Sequence, residues 1–137
     1  MDAPILKIEF QRTEMDCGVA TLAMLTGQSY EKVLVVAAQV APDLLDSGMT
    51  WKMMKQVAKR LGFRSRVRRK RAIDIENDIG ILCVSSPKWK ADHVVVLREG
   101  LIIDTDGSLW EPTTFLSAHT AKILSLLVLD PVHPTSP

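Results

Sequence analysis

The first half of the chain is patterned for helices and the second half for strands. Residues Cys17 to about Leu25 form a run of small and apolar side chains closed by Gly27, a residue that takes the left-handed conformation ending a helix. Ser29 is placed to cap a second helix from Tyr30 to about Gln39, with Glu31 and Lys32 in its first turn, and Pro42 stops it. Thr50 caps a third, from Trp51 to Leu61, in which Trp51, Met54, Val57, Ala58 and Leu61 recur at three- and four-residue intervals and so share a face; Gly62 ends it. Strand-length segments follow at 63–67, 79–85, 93–98, 101–104, 108–110 and 123–129. Helices first and strands afterwards predict an α+β domain. No repeat, linker or composition shift divides residues 1–130, which read as a single domain. From Asp130 onward the chain is too rich in proline to continue a sheet, and 131–137 is expected to be a flexible, fraying tail.

Composition narrows the class without changing the fold. At 137 residues, 47% hydrophobic and 24% charged, the chain is long enough for a real core and is globular rather than disordered. It has no run of about 18 apolar residues to span a bilayer, and Met1 to Lys7 lack the basic and apolar sections of a secretory signal, so a cytoplasmic location without a membrane span is expected. In such a reducing compartment Cys17 and Cys83 are not expected to pair, and Cys83, in the apolar segment 80–84, reads as a buried strand residue.

Charge is concentrated at Arg64 to Arg71, which holds Arg64, Arg66, Arg68, Arg69, Lys70 and Arg71 in a chain of net charge only +1. Weak alternation puts Arg64, Arg66 and Arg68 on one face of an exposed strand, either a solvated edge that resists aggregation or a site for an acidic protein or peptide partner. Nucleic acid is the least favoured partner, since only Phe63 interleaves an aromatic ring with these cations.

The candidate chemistry begins at Cys17, between Asp16 and Gly18 at the start of the first apolar run. A helix N-terminus directs unpaired N–H groups and partial positive charge at whatever lies there, and both stabilise a thiolate. Gly18 allows a substrate carbonyl to approach that turn. Gln11 is close enough in sequence for its amide to return beside the thiol and, with the Cys17 N–H, form an oxyanion hole. His93 opens one strand and Asp104 ends the next, so a hairpin turning at 98–100 brings the carboxylate to the imidazole; Asp106 competes for that role, but Asp104 directly ends the apolar strand. Trp89 shares the loop before His93 and is a candidate to touch substrate, although Trp51, Trp89 and Trp110 equally suit packing. His119 and His133 have no cysteine or acid at metal-ligand spacing, and no glycine-rich phosphate loop occurs, so neither a metal nor another cofactor is expected.

The order Gln11, Asp16-Cys17-Gly18, His93 before a valine-rich strand, then Asp104, resembles the papain-like cysteine peptidases that process bacteriocin precursors after a double-glycine leader. Gly48 to Trp51, Ala58 to Phe63 and Gly80 to Val84 extend the likeness from about Gln11 to Phe115. The resemblance implies a papain-like fold with N-terminal helices packed on an antiparallel sheet. It implies Cys17 as nucleophile, His93 as general base and acid, Asp104 as orienting carboxylate and Gln11 as oxyanion donor, acting on a peptide or protein substrate. The sequence departs from that family's pattern in that Asp92 and Val94 flank the histidine in place of glycine and an aromatic and Thr105 replaces the usual proline, and a freestanding domain without its transporter is expected. Asp92, a second carboxylate beside His93, is expected to raise its pKa. Two functions follow: a cysteine hydrolase working through a thioester acyl-enzyme, or a catalytically silent papain-like module that binds a peptide or an acidic protein through Arg64 to Arg71.

Overall fold

The computed structural model describes residues 6–132. Helices α1 (Cys17–Thr26), α2 (Tyr30–Val40), α3 (Leu44–Ser47) and α4 (Trp51–Arg60) precede β1 (Phe63–Arg69), a single 3-10 turn (Lys70–Ala72), β2 (Ile79–Ser85), β3 (His93–Arg98), β4 (Leu101–Ile103), β5 (Leu109–Trp110), α5 (Pro112–His119) and β6 (Lys122–Pro131). The strands form one antiparallel six-stranded sheet in the order β1-β6-β2-β3-β4-β5. This is the expected α+β arrangement of helices packed on an antiparallel sheet.

Local signals explain the helix ends. Gly27 closes α1 at φ 70°, and the side chains of Ser29 and Thr50 accept from Lys32 N and Met53 N at 3.2 Å each, replacing intrahelical partners those amides lack. α4 presents Met54, Val57 and Ala58 to the core, while its lysines stay outside. Alternation along the strands then divides the interior in two. Ile81 and Leu127 join α1, α2 and α4 in one cluster, whereas Leu82, Val84, Val95, Leu97, Ile102 and Leu126 pack with Phe115 of α5 on the opposite face. Gly80 marks a close approach inside this sheet: a Cβ there would lie 2.5 Å from the Leu127 carbonyl oxygen.

Three expectations need correction. First, the segment between the strands at 108–110 and 123–129, given no element by the sequence, is a helix entered at Pro112, whose fixed φ suits the first helical position, and it buries only Phe115. Second, β1 continues to Arg69 because its ladder with β6 persists as far as Arg69 opposite Ser125. Third, the sheet does not stop before the tail. Asp130 and Pro131 pair with Arg64 and Phe63, and Val132 N donates to Gly62 O at 2.9 Å. A proline at the end of a strand forfeits no ladder bond that the sheet needs. Residues 133–137, including His133, lie outside the described residues. Among the described residues no helix is long and apolar enough to cross a membrane.

Candidate active site

Cys17 is the first residue of α1, so its N–H and that of Gly18 have no intrahelical acceptor; the next two, Val19 N and Ala20 N, turn back to Asp16 O at 3.0 and 3.2 Å. What fixes this entry is Asp16. Its buried carboxylate makes no cap bond to the helix but accepts from Arg12 N and Thr13 N at 2.9 Å, from the Thr13 hydroxyl at 3.0 Å and from the Tyr30 hydroxyl at 2.5 Å. Burial opposes ionisation of Asp16, but the bonds from Tyr30, Arg12 and Thr13 outweigh it and hold the carboxyl below its ordinary range. Burial, then Asp16 itself, push the Tyr30 phenol up. Asp16→Ala would strand two amides and two hydroxyls at once and is expected to cost about 3 kcal/mol or more, measured by urea denaturation at neutral pH. Because the Asp16 pKa is depressed on folding, this contribution is present above the ordinary carboxylate value and lost as pH falls through the folded one. A midpoint unchanged by the substitution would show that the loop holds without it.

The β3–β4 hairpin supplies the partners of Cys17. Its two-residue turn, Glu99-Gly100, has φ of 47° and 82°, the positive pair that a tight hairpin with right-handed twist requires. The resulting register places Ile103 opposite Val96, so Asp104 reaches His93 at the start of β3, with Nε2 2.8 Å from Asp104 Oδ1. Cys17 and His93 line the same cleft, and with Nε2 held by Asp104 the ring nitrogen left to interact with the sulfur is Nδ1. Burial works against the imidazolium, but the bonds to Asp104 and Cys17 and the charges of both prevail, and His93 is pushed up to about 9. Asp104 also pays for burial, and the hydrogen bond and charge of His93, with the Thr105 amide, hold it low. Asp106 does different work: it accepts from Ser108 N at 2.9 Å and closes the next turn.

Gln11 stands at the rim of the same cleft, which has a volume of about 900 Å³. Its Nε2 donates to Thr13 O at 2.6 Å, its Oε1 accepts from the Thr105 hydroxyl, and its own N–H donates to Thr105 O at 2.9 Å. Thr105 therefore ties the segment before Cys17 to the carboxylate, since its amide also donates to Asp104 Oδ1 at 2.7 Å. Proline at this position has no N–H to give. The cleft thus gathers a sulfur at a helix N-terminus, an imidazole between that sulfur and a carboxylate, and an amide at the rim.

The model of the Peptidase C39 family matches residues 5–104. The chain belongs to that family. Its fold is similar to the peptidase domain of Streptococcus ComA, a bi-functional ABC transporter of a quorum-sensing pathway, with 20% identity, TM-score 0.61, and 93% of this chain and 99% of that one covered. It is likewise similar to a double glycine motif protease from an AMS/PCAT transporter, solved in complex with the leader peptide (20% identity, TM-score 0.66, 93% and 92% covered). The peptidase domain of Streptococcus mutans ComA aligns at 19% identity and TM-score 0.55, over 91% and 99% of the two chains. No curated protein matches the sequence significantly.

Two residues of this peptidase-family domain, Cys83 and Asp92, depart from expectation. Cys83 lies on β2, but it is only half-buried and opens into the cleft; burial, then the charges of Asp92 and Cys17, push its thiol up to about 11. Asp92 thus acts on Cys83, while the rise at His93 comes from Asp104 and Cys17. Gly18 lines the cleft, and the space where a Cβ would stand is taken by Met49 Cε at 3.0 Å, so its smallness lets that methionine pack on the first turn of α1. Trp89 also lines the cleft, with its ring edge-on to His93 at 5.6 Å and 5.7 Å from the ring of His119. His119, at the end of the unanticipated α5, packs against Phe115 and Trp110 as well, and its carbonyl accepts from the Ser86 hydroxyl at 2.6 Å. The loop before His93 is thereby tethered to α5. No spacing in the sequence signals that contact; the replacement of proline by Thr105 was the only visible trace of the other.

Proposed function

We propose that the protein is a cysteine peptidase that cleaves an amide bond through a thioester acyl-enzyme. The observation that carries this reading is the imidazole of His93, bonded to Asp104 and sharing one cleft with Cys17 at the N-terminus of α1. A histidine pushed up to about 9 is protonated at neutral pH and favours a thiolate beside it. The sulfur attacks the carbonyl carbon, and the oxygen takes up negative charge where the Cys17 N–H can donate to it, joined by Gln11 once its Nε2 turns from the Thr13 and Glu14 carbonyls. His93 then gives its proton to the departing nitrogen as the C–N bond breaks. Water, deprotonated by the same imidazole, attacks the thioester and frees the acid and the thiol. Gly18 and Trp89 line the same cleft as Cys17 and are the residues offered to the peptide beside it. Family membership and the likeness to a double glycine motif protease support a double-glycine-type peptide as the substrate.

Iodoacetamide labelling at mildly acid pH, read by mass spectrometry, tests the activated pair. Cys17 is expected to react about 100 times faster than Cys83, whose thiol is pushed up to about 11, and His93→Ala is expected to erase the difference. Equal, slow labelling of both cysteines, unaffected by the substitution, would leave a binding module in place of an enzyme.

A further inference from the structure

Thr105 occupies a turn position that favours another residue. Asp104 O accepts from Gly107 N at 3.0 Å, so residues 104–107 form a four-residue turn with Thr105 in its second place. Proline is preferred there, because its ring pre-sets φ and the turn makes no use of that residue's N–H. A threonine gives up more chain freedom at the same place. Thr105 is nonetheless only 1% exposed, and each of its polar groups is engaged: the amide donates to Asp104 Oδ1 at 2.7 Å, the carbonyl accepts from Gln11 N at 2.9 Å, and the hydroxyl donates to Gln11 Oε1.

Two of these three bonds therefore go to Gln11, one to its backbone and one to the far end of its side chain. A hydroxyl has a single proton to give. Asp104 Oδ1 lies 3.4 Å from it, beyond the range of a good O–H···O bond, so the proton belongs to Gln11 Oε1. On its other side the amide meets the carbonyls of Thr13 and Glu14 at 2.6 and 3.5 Å, and carbonyls accept only from Nε2. The orientation of the amide is thus settled from both ends. An amide turned end for end would present its oxygen to a developing oxyanion, and repulsion would replace donation. Nε2 reaches that oxyanion only by leaving Thr13 and Glu14, and once it leaves, those two carbonyls no longer decide which end is which. The Thr105 hydroxyl still does, because its hold on Oε1 does not involve the moving nitrogen.

We propose that Thr105 is a positioning residue of the oxyanion hole: its hydroxyl is the pivot that keeps Gln11 Oε1 in place while Nε2 swings to the oxyanion. Thr105 acts through Gln11 and not on the substrate. Its amide bond to Asp104 is a separate contact, which every residue except proline retains at this position. The kinetic consequence rests on the peptidase reading; the hold on the Gln11 amide does not.

The test is a double-mutant cycle on the full chain, read as kcat and KM for cleavage of a Gly-Gly-containing peptide. Thr105→Val removes the hydroxyl and is expected to lower kcat about tenfold with KM unchanged, while Thr105→Ser is expected to restore the parental rate. Gln11→Ala is expected to lower kcat about 100-fold, and adding Thr105→Val to it to lower kcat no further. The alkaline limb of kcat/KM should stay at the parental pH in Thr105→Val, since the amide bond to Asp104 is kept. A second readout needs no turnover: in the proton–nitrogen NMR spectrum the side-chain NH2 pair of Gln11 is expected to exchange faster with water in Thr105→Val and at the parental rate in Thr105→Ser. Circular dichroism checks the fold, and if the valine variant unfolds, Thr105→Ala is read in the same way. An equal loss in the parent and Gln11→Ala backgrounds, or a serine variant as slow as the valine one, overturns the proposal and leaves Thr105 as support for the turn. A limb moved to lower pH in Thr105→Val overturns it too, and assigns the hydroxyl to Asp104. So does a Gln11 NH2 pair that the loss of the hydroxyl leaves unchanged. A parent chain without turnover, whose Gln11 signals still depend on the hydroxyl, removes the peptidase and supports the hold on Gln11.

Discussion

Cys17→Ala is expected to reduce cleavage of a Gly-Gly-containing peptide by about 10⁵-fold or more, because it removes the atom that bonds to the acyl group. Alanine is the best helix former and sits here in the first turn of α1, so the fold is expected to remain, with a denaturation midpoint close to that of the parent. Peptide binding should survive as well, since Gly18, Trp89 and the α4 wall of the cleft are untouched. This combination, binding kept and turnover lost, separates a nucleophile from a residue that merely supports the cleft. Cys17→Ser is expected to be nearly as inactive: a hydroxyl is far harder to ionise than a thiol, and an imidazolium beside it does not supply a base. Chromatographic assay of the two cleavage products provides the measurement. Full turnover by the alanine variant would remove Cys17 from the chemistry and with it the proposed mechanism.

What the sequence made legible was local. Gly27, Ser29 and Thr50 announce helix ends through their own backbone or side-chain chemistry, and the structure uses all three as expected. The short turn between two apolar strands was enough to bring His93 to Asp104, because strand register follows from turn length. The misses have a common physical origin in contacts between distant segments. Thr105 meets Gln11 across 94 residues of sequence, and His119 meets Trp89 only because α5 folds back over the sheet. α5 itself buries a single residue and ends at Thr120 with φ 51°, a conformation usually left to glycine, so neither its periodicity nor its cap announced it. Cys83 had a strand pattern around it that reads as core. Its partial exposure arises because β2 runs up to the cleft, where the first turn of α1 leaves one face of the strand uncovered.

Asp104→Asn carries the other large expected effect and a pH signature of its own. The pair His93–Asp104 titrates from both sides. His93 is raised above its ordinary value of 6.5 to about 9, so the stability it contributes is fully present below 6.5 and lost as pH rises through about 9. Asp104 is depressed below 3.8, so its contribution is present above that value and lost as pH falls through the folded one. Asparagine keeps the shape and an oxygen for Nε2–H but has no charge to hold the imidazolium against burial. The alkaline limb of kcat/KM, set by loss of the His93 proton, is therefore expected near pH 9 in the parent and at clearly lower pH in the variant. Turnover at neutral pH should fall about 100-fold, since less imidazolium remains to favour the thiolate and to protonate the leaving nitrogen. Stability measured against pH should flatten in the same variant, because the Asp104 contribution is lost and that of His93 falls to what Cys17 supplies. The Asp106→Asn variant, in which only the bonds closing the turn at Ser108 are altered, is expected to keep the parental limb. An Asp104→Asn protein whose alkaline limb stayed near the parental position would mean that Cys17 alone holds His93 protonated, and Asp104 would then be a support for the hairpin and no part of the proton path.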